Sequence, residues 1–353
     1  MRRGMLTVVL AGIVLSGCAS VTELLPGATP DPSASSSSAP PCWSSPITGR
    51  CAEPDNPVIV VKIDDVSAAR PQFNLNAADL VIVEPVEGGL TRLFAVYHGQ
   101  QPQTVGPIRS ARITDTDLVA MLGEPGFAYS GSMSRLVPYL LAAPMQRVGA
   151  PQGGDGYRRL SDRPAPHNYV ADFATLIERL DDAPAARLQS THFWLLAGKR
   201  PLLGTPVKAV TAVWPAARKD FIWDAALQTW NLSIYDTKLL TQIDDAGTTE
   251  RARATNIVVS ETTLLDSSEF DTSHSRTPYP RTYGTGRGLV FSDGRAIEAE
   301  WRREAKTDFP RWFTTTGEEI ALAPGNTWWL LVEDLAQVTQ RTGATPSPKA
   351  STP

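Results

Sequence analysis

Three short apolar runs, at 58–63, 80–83 and 93–97, decide most of what this chain can become. Each is continuous, rich in β-branched or aromatic residues, and too short for a helix. Runs of that kind read as buried strands, with a shorter one at 127–129. Between the second and third lies Gly88-Gly89, where a turn with positive φ costs little. Three helical stretches accompany them. Residues 116–122 have helical character behind Thr114 or Asp115 as N-cap. Residues 135–142 form a short apolar helix with Pro138 in its first turn. Residues 172–180 place Phe173, Leu176, Ile177 and Leu180 on one face. Mixed strands and helices in this order predict an α/β sandwich-like domain over 57–197. The irregular stretch 149–168 is too long for an idle connection and reads as a functional lid or a disordered loop.

The stretch 198–334 reads as a second, mostly β domain, so the fold class is a mixture of α/β and α+β. Short aromatic and β-branched runs recur at 207–214, 220–224, 229–236 and 255–262. One hairpin can be registered from its turn. Asp293-Gly294 suits a two-residue type I′ turn. Ser292 then faces Arg295, Val290 faces Ile297, and Trp301 lies opposite Gly286 with Gly288 diagonal to it. An indole covering glycines fills the gap they leave. Arg287 faces Glu300, a solvated pair worth little. A second turn at Thr316-Gly317 links two further short runs. The tail, 335–353, is polar, Thr/Pro/Ser-rich and expected to be disordered.

The N-terminus gives an address. Arg2 and Arg3 precede an apolar run at 5–15, which is too short to span a bilayer and suits a signal peptide over 1–17. Leu15-Ser16-Gly17-Cys18 has the form of a lipobox. Cleavage before Cys18 would let its thiol carry diacylglycerol and its amine an acyl group such as palmitate. Two or three such chains, at ~0.8 kcal/mol per buried methylene, give a stable anchor on the extracytoplasmic face of the cell membrane. Residues 18–56 are a Pro/Ser-rich linker that holds the body off the membrane. At its end stand Cys42 and Cys51, the only other cysteines. An oxidising compartment makes a disulfide between them the expected state. The net charge of -4 is mild, and no basic patch marks a nucleic-acid surface.

Chemistry-bearing residues gather in the turns of the first domain. Arg70, Arg92, Arg109 and Arg112 stand beside Asp64, Asp65, Glu84 and Glu87, and His167 follows two prolines. Arg109 and Arg112 share one face if their turn is helical, and paired guanidiniums bind carboxylate or phosphate. Arg70, Arg92, Arg109, Arg112, Asp64, Glu87 and His167 are therefore the candidate ligand-binding set. The competing reading makes the arginines internal partners of the acids. An alternative function is a hydrolase using Asp64, Asp65, Glu84 and His167, although adjacent arginines oppose a general-acid role for these carboxylates. No zinc spacing, phosphate loop, dinucleotide fingerprint or nucleophile elbow occurs, so neither a metal nor a cofactor is expected and no catalytic residue is assigned. The nine tryptophans raise carbohydrate stacking. Trp328 and Trp329 are adjacent, so one is expected in the core and the other on the surface.

The motifs ARPQ (69–72), EGGLTR (87–92), GPIRSAR (106–112) and PHN (166–168), in that order, resemble those of the YerB-like bacterial lipoproteins, a group built on a domain of unknown function. GTGRGLVFSDGRAIEAEWRRE and APGNTWWLLVED resemble that family's C-terminal domain. The resemblance spans 57–334. It implies an envelope lipoprotein of two domains, without implying an activity. The role expected is binding or scaffolding in the envelope, of an anionic ligand, a cell-wall component or an envelope protein.

Overall fold

The computed structural model describes residues 42–149, 154–189, 193–197, 203–268, 270–271 and 274–343. The signal peptide, Cys18, the linker up to residue 41, His192 and the last ten residues lie outside these. The described body is dominated by strands, and its α-helices are six residues each. The expected α/β character of the first half is thus reduced to short helices on a large sheet.

The three founding runs form β1 (Ile59–Asp64), β2 (Leu80–Pro85) and β3 (Thr91–Tyr97), with β3 antiparallel to both neighbours. Next come α1 (Ile113–Leu118), β4 (Gly126–Ala128), α2 (Val137–Ala142), β5 (Gln146–Arg147) and α3 (Phe173–Glu178). The second half adds β6 (Thr205–Trp214), β7 (Ala217–Asp224), β8 (Thr229–Ile234), β9 (Asn256–Glu261), β10 (Gly284–Ser292), β11 (Arg295–Arg303), β12 (Thr327–Val332) and β13 (Val338–Thr342). The path of the main sheet runs β8-β7-β6-β11-β10-β9-β12-β2-β3-β1-β4-β5. Strand β12 lies parallel to β9 on one side and β2 on the other. Strands from before and after residue 197 therefore share one sheet.

Period-2 alternation explains why the central runs are continuously apolar. Val81, Val83, Trp328 and Leu330 point into one core; Leu80, Ile82, Trp329 and Leu331 point into another on the opposite face. Both faces are covered, so Trp328 and Trp329 are both fully buried. The expectation that one would be exposed fails for that reason. Seven of the nine tryptophans are buried, which removes the basis for an extended stacking platform.

The hairpin β10–β11 keeps the expected register, including Ser292↔Arg295, Val290↔Ile297 and Gly286↔Trp301. Asp293 and Gly294 both have positive φ, as a type I′ turn requires. The charge pairing differs. Arg287 also has Glu261 beside it on β9, and pairs with that acid at 2.8 Å. Glu300 pairs instead with Arg302 at 2.6 Å. The tail also differs from expectation. Asp334 caps a short 3-10 turn, and β13 pairs antiparallel with β6. Val338, Thr339 and Thr342 are β-branched, which suits an edge strand despite its polar surface. Among helices, α1 starts at Ile113, with Arg112 in the N-cap position and Asp115 inside the first turn. Asp115 accepts a hydrogen bond from the Arg112 N–H at 2.6 Å, so the acid faces back toward the start of the helix it was expected to precede. At α3, Asp172 caps by accepting from Ala174 N–H at 3.0 Å.

Cys42 and Cys51 are joined by a disulfide within the hairpin that opens the body. Trp43 packs edge-on against the His98 ring, 5.5 Å between centroids.

Candidate anion-binding cleft

Cross-strand register creates the site. Asp64, Arg92 and Glu84 stand in one row across β1, β3 and β2, on the face that also carries Lys62. Such a row should pair Arg92 with either acid. Each acid turns elsewhere. Lys62 Nζ donates to Glu84 Oε1 at 2.6 Å and to Asp115 Oδ1 at 2.7 Å, with all three side chains fully buried. Asp64 Oδ2 is hydrogen-bonded to His167 Nδ1 at 2.7 Å and forms an ion pair with Arg109, whose Nε lies 3.1 Å away. Arg92 is left with one hydrogen bond, from Nη1 to the Ser110 carbonyl at 2.8 Å, and no ion pair among the described residues.

The two remaining candidate arginines are spoken for. Arg112 makes Nε and Nη2 bonds to Glu87 Oε2 at 2.9 and 2.6 Å, and its Nη1 donates to the Ala111 carbonyl at 2.9 Å. Thr277 donates to the other Glu87 oxygen. Burial pushes the Glu87 carboxyl up, but Arg112 and Thr277 together outweigh it and hold the group below the usual carboxylate range. Arg70 lies away from this cluster. It donates to the Asp65 carbonyl at 2.5 Å and stands 3.8 Å from the Asp65 carboxylate. Asp65 itself is buried against Lys219 Nζ at 2.5 Å and the Thr91 hydroxyl at 2.5 Å. Reading the arginines as internal partners thus describes Arg70, Arg109 and Arg112. It does not describe Arg92.

Burial, with Arg112 and Arg109 adding repulsion, pushes the Arg92 guanidinium down to about 9. It remains charged at neutral pH, 8% exposed, in surroundings that penalise that charge. Burial also raises Glu84 to about 8, reinforced by Asp115 and opposed by Lys62. Glu84 therefore keeps its proton to higher pH than an ordinary carboxyl beneath the site.

Above Arg92 opens a cleft of about 900 Å³. Of the candidate set, Asp64, Glu87, Arg92, Arg109 and Arg112 line it. His167 braces Asp64, and Arg70 is elsewhere. Asp65 and Glu84 are not in the lining, so the hydrolase set does not converge in an open site. Arg109 and Arg112 both precede the helix, which starts at Ile113, so the shared helical face does not form. Of the stretch 149–168, residues 150–153 lie outside the described residues, and the remainder contains a paired strand. Tyr157–Arg159 pairs with Tyr169–Asp172, and Asn168 Nδ2 ties the turn to the Leu160 carbonyl at 2.8 Å. That turn delivers His167 to Asp64.

The sequence reading missed Ser132, Ser134, Arg135, Phe270 and His274, which complete the cleft wall. The motif SGSMSR directly after a strand was the available signal, because Gly131 adopts positive φ in a loop bonded to GPIRSAR. Ala111 N–H donates to the Gly131 carbonyl at 2.9 Å and Ser130 N–H to the Arg109 carbonyl at 3.0 Å. Phe270 and His274 arrive from the other half of the chain, and nothing local announces them. Lys62 and Lys219 were also missed as the partners that withdraw Glu84 and Asp65.

Residues 47–186 match the model of the "Protein of unknown function (DUF3048) N-terminal domain", and residues 210–329 match that of the corresponding C-terminal domain. The chain belongs to the DUF3048 family. A family relative, named "Putative lipoprotein YerB", from Bacillus subtilis (strain 168), is 24% identical over 302 residues, covering 82% of this chain and 86% of the relative. The crystal structure of the YerB protein from Bacillus subtilis superposes with a TM-score of 0.71 at 22% identity, over 85% of this chain and all of that one. The DUF3048 fold is therefore shared. No helix among the described residues is long and apolar enough to cross a membrane.

Proposed function

We propose that this DUF3048 chain is a lipid-anchored envelope protein whose body binds an anionic ligand through Arg92. The carrying observation is one buried guanidinium that makes no ion pair among the described residues, at the floor of an open cleft. Arginine does not shed its proton at neutral pH, so a ligand carboxylate or phosphate is the group that completes it. Arg109, whose pairing to Asp64 is shared with His167, stands ready to move onto the same ligand.

The cleft lies far from the disulfide hairpin that opens the described body. The disulfide hairpin packs at His98, just past the β3 end where Tyr97 faces Ile59. Arg92 faces Asp64 at the other end of the same strands, about 17 Å away at ~3.3 Å per residue. The disulfide hairpin thus lies at one pole of the sheet and the cleft at the other.

Arg92→Met tests the reading. The wild-type melting temperature should rise with phosphate or acetate beyond a sodium chloride control. A ligand at 100 times its Kd adds about 2.7 kcal/mol. Arg92→Met should keep or raise basal stability, because it removes an uncompensated buried charge, and lose the anion response. A wild type indifferent to every anion tested overturns the proposal.

A second reading keeps the 2.7 Å Asp64–His167 pair as the remnant of a hydrolytic site. An aspartate on Nδ1 orients the imidazole as a base. Turnover of ester substrates that is abolished by His167→Gln would favour it.

A further inference from the structure

We propose that the anion taken by this cleft is carried on a saccharide, either a phosphorylated or a carboxylated sugar. This rests on the anion-binding reading and names its ligand class.

Charge sets the first limit. Four arginines (Arg92, Arg109, Arg112, Arg135) and three carboxylates (Asp64, Glu87, Asp271) line the cleft, an excess of one arginine over the carboxylates. Arg112 is saturated by Glu87 and backbone carbonyls, so the free donors at the floor belong to Arg92 and Arg109. That arrangement suits a single anionic group. A strongly acidic peptide would bring further carboxylates against Asp64 and Glu87.

The remaining wall suits hydroxyls. Ser110, Ser132 and Ser134 line the cleft, and their side chains make no hydrogen bond to described residues. Each hydroxyl both donates and accepts, which matches a polyol better than a lone ion. Phe270 lines the same cleft and is 50% exposed. Arg276 stands 5.8 Å from the centroid of that ring, and the exposed part of the ring offers a flat apolar surface to the C–H face of a pyranose. A volume of about 900 Å³ lies at the upper end of small-molecule sites and far exceeds what an isolated ion fills.

Backbone geometry argues against an extended peptide. Peptide capture by strand addition needs an open edge. The strands whose ends form the floor, β1, β3 and β2, are already paired, with β4 and β12 on the outer sides.

Calorimetric titration of the purified protein decides the matter. The probes are inorganic phosphate, acetate, glucose 6-phosphate, glucuronate and N-acetyl-trialanine. At least one of the two acidic sugars should bind tenfold or more tightly than its bare anion, and which one does so separates phosphate from carboxylate. Phe270→Ala and the double variant Ser132→Ala/Ser134→Ala should each erase that gain while leaving bare-anion affinity unchanged. Binding of bare anions with no gain from either sugar overturns the saccharide inference alone. So does tighter binding of the peptide, or a gain that survives both variants. Failure of phosphate and acetate to bind along with the sugars removes the anion reading itself.

Discussion

Arg92 shows how a site arises from neighbours that look elsewhere. Its register partners are both acids, and each is claimed elsewhere: Glu84 by Lys62, which the sequence reading did not weigh, and Asp64 by Arg109 and His167. The arginine-acid cluster was legible because the motifs place those residues on strand ends. Which arginine stays unpaired was not, because that depends on Lys62 lying one pleat away and on His167 returning from a distant turn. Arg112 has the opposite fate. Arg112→Ala strands Glu87, itself 6% exposed, so it should cost about 3–5 kcal/mol in chemical denaturation. A cost below ~1 kcal/mol would mean that Glu87 finds another partner. Glu84 gives a pH prediction. Its folded value, about 8, lies above its ordinary 4.5. Between these values the folded state holds the proton more tightly than the unfolded chain. The contribution is full below about 4.5, is lost as pH rises through the window, and is flat above about 8. Glu84→Gln mimics the protonated acid, so its unfolding free energy should exceed wild type at pH 8 and converge with it toward pH 5. A variant weaker than wild type at pH 8 would mean that Glu84 is ionised in the fold.

Elements with local signals were read well; those defined by distant contacts were not. The Asp293-Gly294 turn fixes the β10–β11 register on its own chemistry, and period-2 arithmetic does the rest. The structure adds why Gly286 stands opposite Trp301. A Cβ there would meet the indole nitrogen at 2.6 Å and the Glu261 carbonyl at 2.9 Å, the two atoms already joined by a 3.0 Å hydrogen bond. Gly286→Ala should therefore cost about 1–3 kcal/mol, the range for overpacking, with the loss seen in the denaturation midpoint. An unchanged midpoint would show that Trp301 can swing aside. The last strand, β13, was read as tail because polarity masks a strand whose side chains face solvent. The pair Trp328-Trp329 was misjudged because cover on the second face comes from segments far away in sequence.

At the scale of the whole molecule, the lipobox and the body make separate claims. Cys18→Ser should release the protein from the membrane fraction or leave it as an unprocessed precursor, read by fractionation and intact mass. Membrane retention at full mature mass would remove the lipid anchor. The body's two halves are joined more closely than two family models suggest. Strand β12, from the C-terminal half, supplies the parallel neighbour of β2, and Lys219 neutralises the buried Asp65 of the N-terminal half. Thr277 likewise reaches across to Glu87 at the cleft wall. A fragment of residues 42–197 would expose the edge of β2 along Val81 and Val83 and leave Asp65 buried without its cation. A buried charge stripped of its partner costs several kcal/mol, comparable with the whole stability of a small domain. The fragment should therefore show no cooperative thermal transition alone and regain one when co-expressed with 198–353. A sharp transition of the isolated fragment near that of the intact chain would make the first half a self-sufficient domain, with Lys219 and β12 as later additions to it.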